Sequence, residues 1–221
     1  MHFLPNRVAR ENTGASNRSH WYSRPGRWLV ALLAGPALLL AGCEGSGGTE
    51  AGAVNLGIAD RAWAPGHEDV GWCGETCIQM ALAYYGREET QTAINAAAGS
   101  PTDITEDDMD RALRTLGVAY EAWDAANSDV GHFIGWVKAH VNSGHPVICG
   151  TKYYPDEAPE WYVDHFALAV GYDDASLILN TQANCDGQIA VSDAQLASQS
   201  DGYAFANRYQ RYFGRAITGV R

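Results

Sequence analysis

The stretch from Gly71 to Gly86, GWCGETCIQMALAYYG, constrains this chain more than any other. A small, tight entry leads into Ile78, Ala81, Leu82 and Tyr85, spaced three and four apart, and Gly86 stands where a left-handed residue closes a helix. The spacing predicts one helix with Cys73 in its first turn. There, unpaired backbone N–H groups and the positive end of the helix dipole favour a thiolate over a thiol. A cysteine at an apolar helix start is more commonly a small buried hydrophobe, so the chemistry assigned to Cys73 depends on what else the chain supplies.

Residues 1–42 stand apart from the rest. Arg7, Arg10, Arg18, Arg24 and Arg27 precede an apolar run from Trp28 to Ala41, a pattern expected of a secretory signal. The run contains Gly35 and Pro36 and is too short for a comfortable membrane span. Leu40-Ala41-Gly42-Cys43 is similar to a bacterial lipobox, with Cys43 as the residue to be lipidated after cleavage. Residues 43–53 are then a lipidated cysteine and a Gly-rich spacer, and 54–221 a single domain with ordinary apolar content. Loss of residues 1–42 removes those five arginines and Glu11, leaving 10 basic against 25 acidic residues, a net charge of −15. Such a surface repels phosphate backbones and anionic headgroups. The expectation is an extracytoplasmic, monomeric protein that binds no nucleic acid and touches the membrane only through its lipid.

Within the domain, Thr90 can cap a short helix through Ala98, and Thr105 with Asp108 forms a capping box before Met109, Leu113 and Leu116. The acids Glu106, Asp107, Asp108 and Asp110 then sit at a helix N-terminus, where the dipole favours them, rather than in a calcium loop. Val118 to Trp123 alternates like a strand, and Val130 to Val141 places Phe133, Ile134, Val137 and Val141 on one helical face. Pro146–Tyr153, His165–Gly171 and Ser176–Asn180 are predicted strands, with a hairpin through Gly171-Tyr172-Asp173-Asp174. Ser192 can cap a short helix to Ser198, and Ala216–Val220 is a predicted final strand. Helices first and an antiparallel sheet after them indicate an α+β fold.

A thiolate nucleophile needs an imidazole, a group to orient that imidazole, and N–H donors for the oxyanion. His132 and His140 lie among polar positions of a predicted helix and are expected at the surface; His145 stands at a strand entrance. His165 opens an apolar strand, a rigid support with an open edge. Cys73-Gly74-Glu75-Thr76-Cys77 through Gly86, followed by His165-Phe166-Ala167-Leu168-Ala169-Val170-Gly171-Tyr172-Asp173, resembles the papain-like cysteine peptidases, closest to the branch of bacteriocin-processing, double-glycine-leader peptidases. The resemblance spans about Pro65 to Thr181. It implies a papain-like fold in which the nucleophile helix packs on the sheet. It also implies Cys73 as nucleophile, His165 as general base and acid, Cys77 in the core, and no cofactor or metal. The branch commonly carries an Asp after the strand that follows the His; this chain has Asn180 and then Thr181, so the resemblance leaves Asn180 as the orienting residue. It places His67 where the family has an oxyanion Gln, with the Cys73 N–H as second donor.

The resulting expectation is a lipid-anchored peptidase or related amide-bond hydrolase acting on a peptide or protein through a thioacyl enzyme. Two other readings stand beside it. One is a binding module on the same fold that has lost turnover, for which the departures at His67 and Thr181 speak. The other is a structural metal site built on Cys73-x3-Cys77 with Cys149, Cys185 or a His, a loose spacing for zinc. Trp72, Trp161, Tyr162 and Tyr154 are expected in the core or lining a cleft, and Cys149 with Cys185 is the pair positioned in sequence for a disulfide.

Overall fold

The computed structural model describes residues 52–67, 71–123, 129–154, 163–198, 202–206 and 211–221. The signal segment, Cys43, Trp161 and Tyr162 lie outside them. In chain order the elements are β1 (Val54–Asn55), α1 (Cys73–Tyr84), α2 (Gln91–Ala97), α3 (Glu106–Thr115), β2 (Val118–Ala122), α4 (Val130–Asn142), β3 (Val147–Tyr154), β4 (Val163–Tyr172), β5 (Ser176–Asn180), β6 (Gln188–Ser192), α5 (Asp193–Leu196), β7 (Gly202–Ala204) and β8 (Gly214–Val220). The described strands form one antiparallel sheet of order β2-β8-β3-β4-β5-β6, with β1 added on β4 and β7 on β3.

The period-two alternation of β3 and β4 feeds two cores. Ile148, Leu168 and Val170 join Ile78, Met80 and Leu82 of α1 with Met109 and Leu113 of α3. Val147, Cys149, Ala167 and Ala169 join Phe133, Val137 and Val141 of α4. A strand buried on both faces has no polar side to show, which is why these two read as continuous apolar runs. The helix starts follow local chemistry. Thr90, Thr105, Asp129 and Ser192 each accept from a backbone N–H at their helix start, and Thr105 with Asp108 closes a full capping box.

Two of the glycines with little room for a Cβ bear on how β4 and α1 are placed. A Cβ on Gly171 would come within 2.6 Å of the Val54 carbonyl, where β1 pairs with β4 beside an irregularity in the β4–β5 register. A Cβ on Gly74, in the first turn of α1, would meet Ile104 at 3.0 Å and the Met109 methyl at 3.3 Å. Gly74→Ala is therefore expected to destabilise the fold by about 1–3 kcal/mol, through overpacking that pushes the first turn of α1 off α3. Urea unfolding of the two proteins measures it, and an unchanged midpoint would mean that the Ile104 loop gives way freely.

No disulfide joins Cys149 to Cys185. Cys149 is sealed inside β3 while Cys185 lies exposed in the turn between β5 and β6, and Cys73, Cys77, Cys149 and Cys185 are all free thiols. His132 is exposed as expected. His140 is not fully so: its ring packs edge-on against Trp136 and faces Glu121 at 3.7 Å.

Candidate active site

Helix α1 begins without a side-chain cap. Its N-cap, Trp72, is a buried ring whose Nε1 donates to the Thr102 carbonyl at 3.0 Å. The backbone of Trp72, at φ −76° and ψ 50°, turns tightly enough for the Cys73 N–H to donate back to the Gly71 carbonyl at 2.8 Å. The N–H expected to serve an oxyanion is thus occupied within the chain.

Cys73 is partly exposed, and its Sγ accepts from the Phe166 N–H at 3.4 Å. That N–H belongs to the peptide bond joining His165 to Phe166, so the thiol at the head of α1 lies against the backbone of the expected base. Strand β4 is held on its other edge by β3, where Thr151 pairs with His165 and its hydroxyl donates to the His165 carbonyl at 3.2 Å. The two chemical residues therefore sit on rigid elements, not on loops.

Electrostatics at the site oppose the helix-dipole expectation. Burial pushes the Cys73 thiol up to about 12, the Phe166 N–H offsetting part of this and the nearby Glu75 carboxyl adding to it. Burial likewise pulls His165 down to about 4, against the favourable influence of the Thr181 backbone, Asp186 and the Gln182 side chain. A half charge at a helix end is a modest term beside the desolvation of a thiolate. Both shifts favour the uncharged forms, a thiol at Cys73 and a neutral imidazole at His165. Glu75 itself is fully buried; Asn95 donates to its Oε1 at 2.8 Å, its Oε2 has no partner, and burial raises its carboxyl above the usual range.

The other expected residues fall as follows. Asn180 is fully buried at the end of β5, with its side chain turned to neighbours other than His165: Nδ2 donates to the Ile58 carbonyl at 3.1 Å and contacts the Met80 sulfur, and Oδ1 accepts from Gln188 at 2.7 Å. It fastens β5 and β6 to the segment after β1 instead of orienting the imidazole. His67 stacks its ring on Trp72, with centroids 3.4 Å apart and planes 15° from parallel. Cys77, one turn beyond Cys73, is completely buried as expected of a core residue. Trp72 is core as well. Among the described residues no group of three or more His, Cys, Asp or Glu is placed to hold a metal ion.

Sequence reasoning missed Gln182. It is fully buried, its Nε2 donates to the Phe166 carbonyl at 3.1 Å and contacts the Cys77 sulfur at 3.3 Å, and its backbone adopts a left-handed φ of 71°. In sequence it is one polar residue in the turn-forming run Thr181-Gln182-Ala183-Asn184, and only the folded β5–β6 connection brings it to β4.

A solved structure of a protein described as a C39-like peptidase from Bacillus anthracis is 13% identical, with a TM-score of 0.52 over 76% of this chain and 99% of that one. At that identity the likeness shows the fold alone, and it is the expected α+β, papain-like one. The peptidase domain of Streptococcus ComA, described as a bi-functional ABC transporter involved in a quorum sensing pathway, is 13% identical with a TM-score of 0.49, over 72% of this chain and 98% of that domain. Interpain A, a cysteine protease of Prevotella intermedia, is also 13% identical with a TM-score of 0.49, over 76% of this chain and 95% of its own. No curated protein matches the chain. The model of the Peptidase_C39 like family, however, matches residues 58–217, which include α1 with Cys73 and β4 with His165, and the chain belongs to that family.

Proposed function

We propose that this protein is a lipid-anchored, extracytoplasmic hydrolase of peptide or related amide bonds, with Cys73 as nucleophile and His165 as general base and acid. The observation that carries the reading is the 3.4 Å contact between Cys73 Sγ and the N–H of the His165–Phe166 peptide, which seats a partly exposed thiol against β4 next to the backbone of His165. Because both groups rest neutral, the proton leaves the thiol for the imidazole as sulfur attacks the carbonyl carbon. The imidazolium then returns it to the leaving amine, and water, deprotonated by the same imidazole, cleaves the thioester. The lipobox-like segment ending at Cys43 supports the anchor, residues 43–53 the spacer, and the net charge of −15 a monomer that repels anionic partners.

A second reading, a peptide-binding module without turnover, is favoured by two observations: the Cys73 N–H is spent on the Gly71 carbonyl, and His67 is committed to the Trp72 face. The two readings separate on exposure to p-nitrophenyl acetate at pH 7.5, followed by peptide mass mapping. The hydrolase gives an acetyl group on Cys73 that accumulates and decays by hydrolysis, with none in Cys73→Ala. Absence of any Cys73 adduct, with the exposed Cys185 acetylated as an internal reference, would retire the hydrolase in favour of the binding module.

A further inference from the structure

His165 Nε2 and Gln182 Oε1 are among the buried polar atoms that lack a hydrogen-bond partner. The first can donate, the second can only accept, and the Gln182 side chain lies within hydrogen-bonding reach of the His165 imidazole, as does the Thr181 backbone. The same side chain is anchored from its other end, since Gln182 Nε2 donates to the carbonyl of Phe166, the residue next to His165. Its backbone is equally fixed. Asp60 Oδ1 accepts from the Gln182 N–H at 3.2 Å, while the Gln182 carbonyl accepts from Cys185 at 2.9 Å and Gly187 at 3.1 Å. A left-handed φ is strained at a residue with a Cβ, and glycine would avoid that strain. What glycine would lack is the side chain, and that side chain spends one end on the strand of the base and leaves the other unpaired beside the base itself.

We infer that Gln182 is the positioning residue for His165: its Oε1 accepts the Nε2 proton and so holds the imidazole in the tautomer whose Nδ1 is free to take the proton of Cys73. This rests on the hydrolase reading for its catalytic meaning, though not for the geometry. It also fills the role that Asn180 leaves vacant. A neutral amide in place of a carboxylate fixes the tautomer and ring plane while doing little to stabilise the imidazolium, in keeping with a base that stays neutral at rest.

The test uses the full chain labelled with 15N-histidine, as wild type, Gln182→Met and Gln182→Glu. Both substitutions keep nearly the volume of glutamine; the first removes the acceptor, and the second keeps one and charges it. Among the described residues, Asp186 and the Tyr203 phenol, whose ring lies 5.8 Å from that of His165, are the titratable groups set against the imidazole, with the Cys73 thiol on the adjoining Phe166 N–H, and all three stay constant across the series. Wild-type His165 is expected as a single Nε2–H tautomer, Gln182→Met as a tautomer mixture, and Gln182→Glu with a titration midpoint displaced upward by a pH unit or more. Acetylation of Cys73 by p-nitrophenyl acetate is expected to fall roughly 10- to 100-fold in Gln182→Met. If Gln182→Met does not fold, the displaced midpoint in Gln182→Glu decides alone. An identical tautomer and midpoint in all folded variants would overturn the inference, whatever the activity. A tautomer that responds to Gln182 in a protein whose Cys73 is never acetylated would uphold the positioning while removing the hydrolase.

Discussion

His165→Gln is expected to slow acetylation of Cys73 by roughly 10²–10⁴-fold at pH 7, the range that positioned general bases contribute. With the thiol pushed up to about 12, only roughly one molecule in 10⁵ carries a thiolate at pH 7, so direct attack by preformed thiolate is slow. A neutral imidazole, held at about 4 by burial, removes the proton during attack and needs no prior ion pair. Two pH profiles then diverge. Acetylation should show an acid limb near pH 4 and run level through neutrality, because the base is already in its active form. Alkylation by iodoacetamide, which depends on thiolate, should climb about tenfold per pH unit from 8 to 11 without levelling near the ordinary thiol value, and should ignore His165→Gln. Fast alkylation at pH 5 that disappears in His165→Gln would instead reveal a standing ion pair, and the argument from burial would fall.

The contrast between these profiles also locates where sequence reasoning stopped. Helix α1 was legible because its apolar spacing, its start and its closing glycine agree, and Gly86 does take a left-handed φ of 79°. The Thr105 capping box and the apolar face of α4 were legible for the same reason, being local chemistry. Strands β6 and β7 escaped notice. Gln188–Ser192 has one fully buried position and Gly202–Ala204 is three residues long, so neither carries enough pattern to be distinguished from a loop. At the site, residue types were legible and environments were not. Cys73 at a helix start promised a stabilised thiolate, yet desolvation depends on what β4 and the β5–β6 connection bring around the sulfur, which no local spacing encodes. Asn180 stood at the right place in the chain, but the end of β5 directs its amide toward Ile58 and Gln188. Two residues later, a left-handed turn delivers Gln182 to the position that Asn180 was expected to fill.

Stability should carry the signature of the buried base. In an unfolded chain His165 titrates near 6.5, and in the fold near 4. Between those values the unfolded chain binds a proton that the folded one does not, so the contribution is fully present above about pH 6.5 and is lost as pH falls through 4. The shift corresponds to about 3 kcal/mol at most. Burial raises the carboxyls of Asp60, Glu75 and Glu106, which act with the opposite sign: they favour the fold as acid protonates them and withdraw that support as pH rises. The overall pH–stability curve therefore mixes both effects, and the informative quantity is the difference between wild type and His165→Gln. Urea unfolding at intervals from pH 7.5 to 4 should show that difference moving by up to about 3 kcal/mol in favour of the variant as pH falls. A difference that stays constant would mean that His165 takes up its proton inside the fold without penalty. That would make it a solvated surface group, poorly suited to exchange a proton with Cys73 away from water.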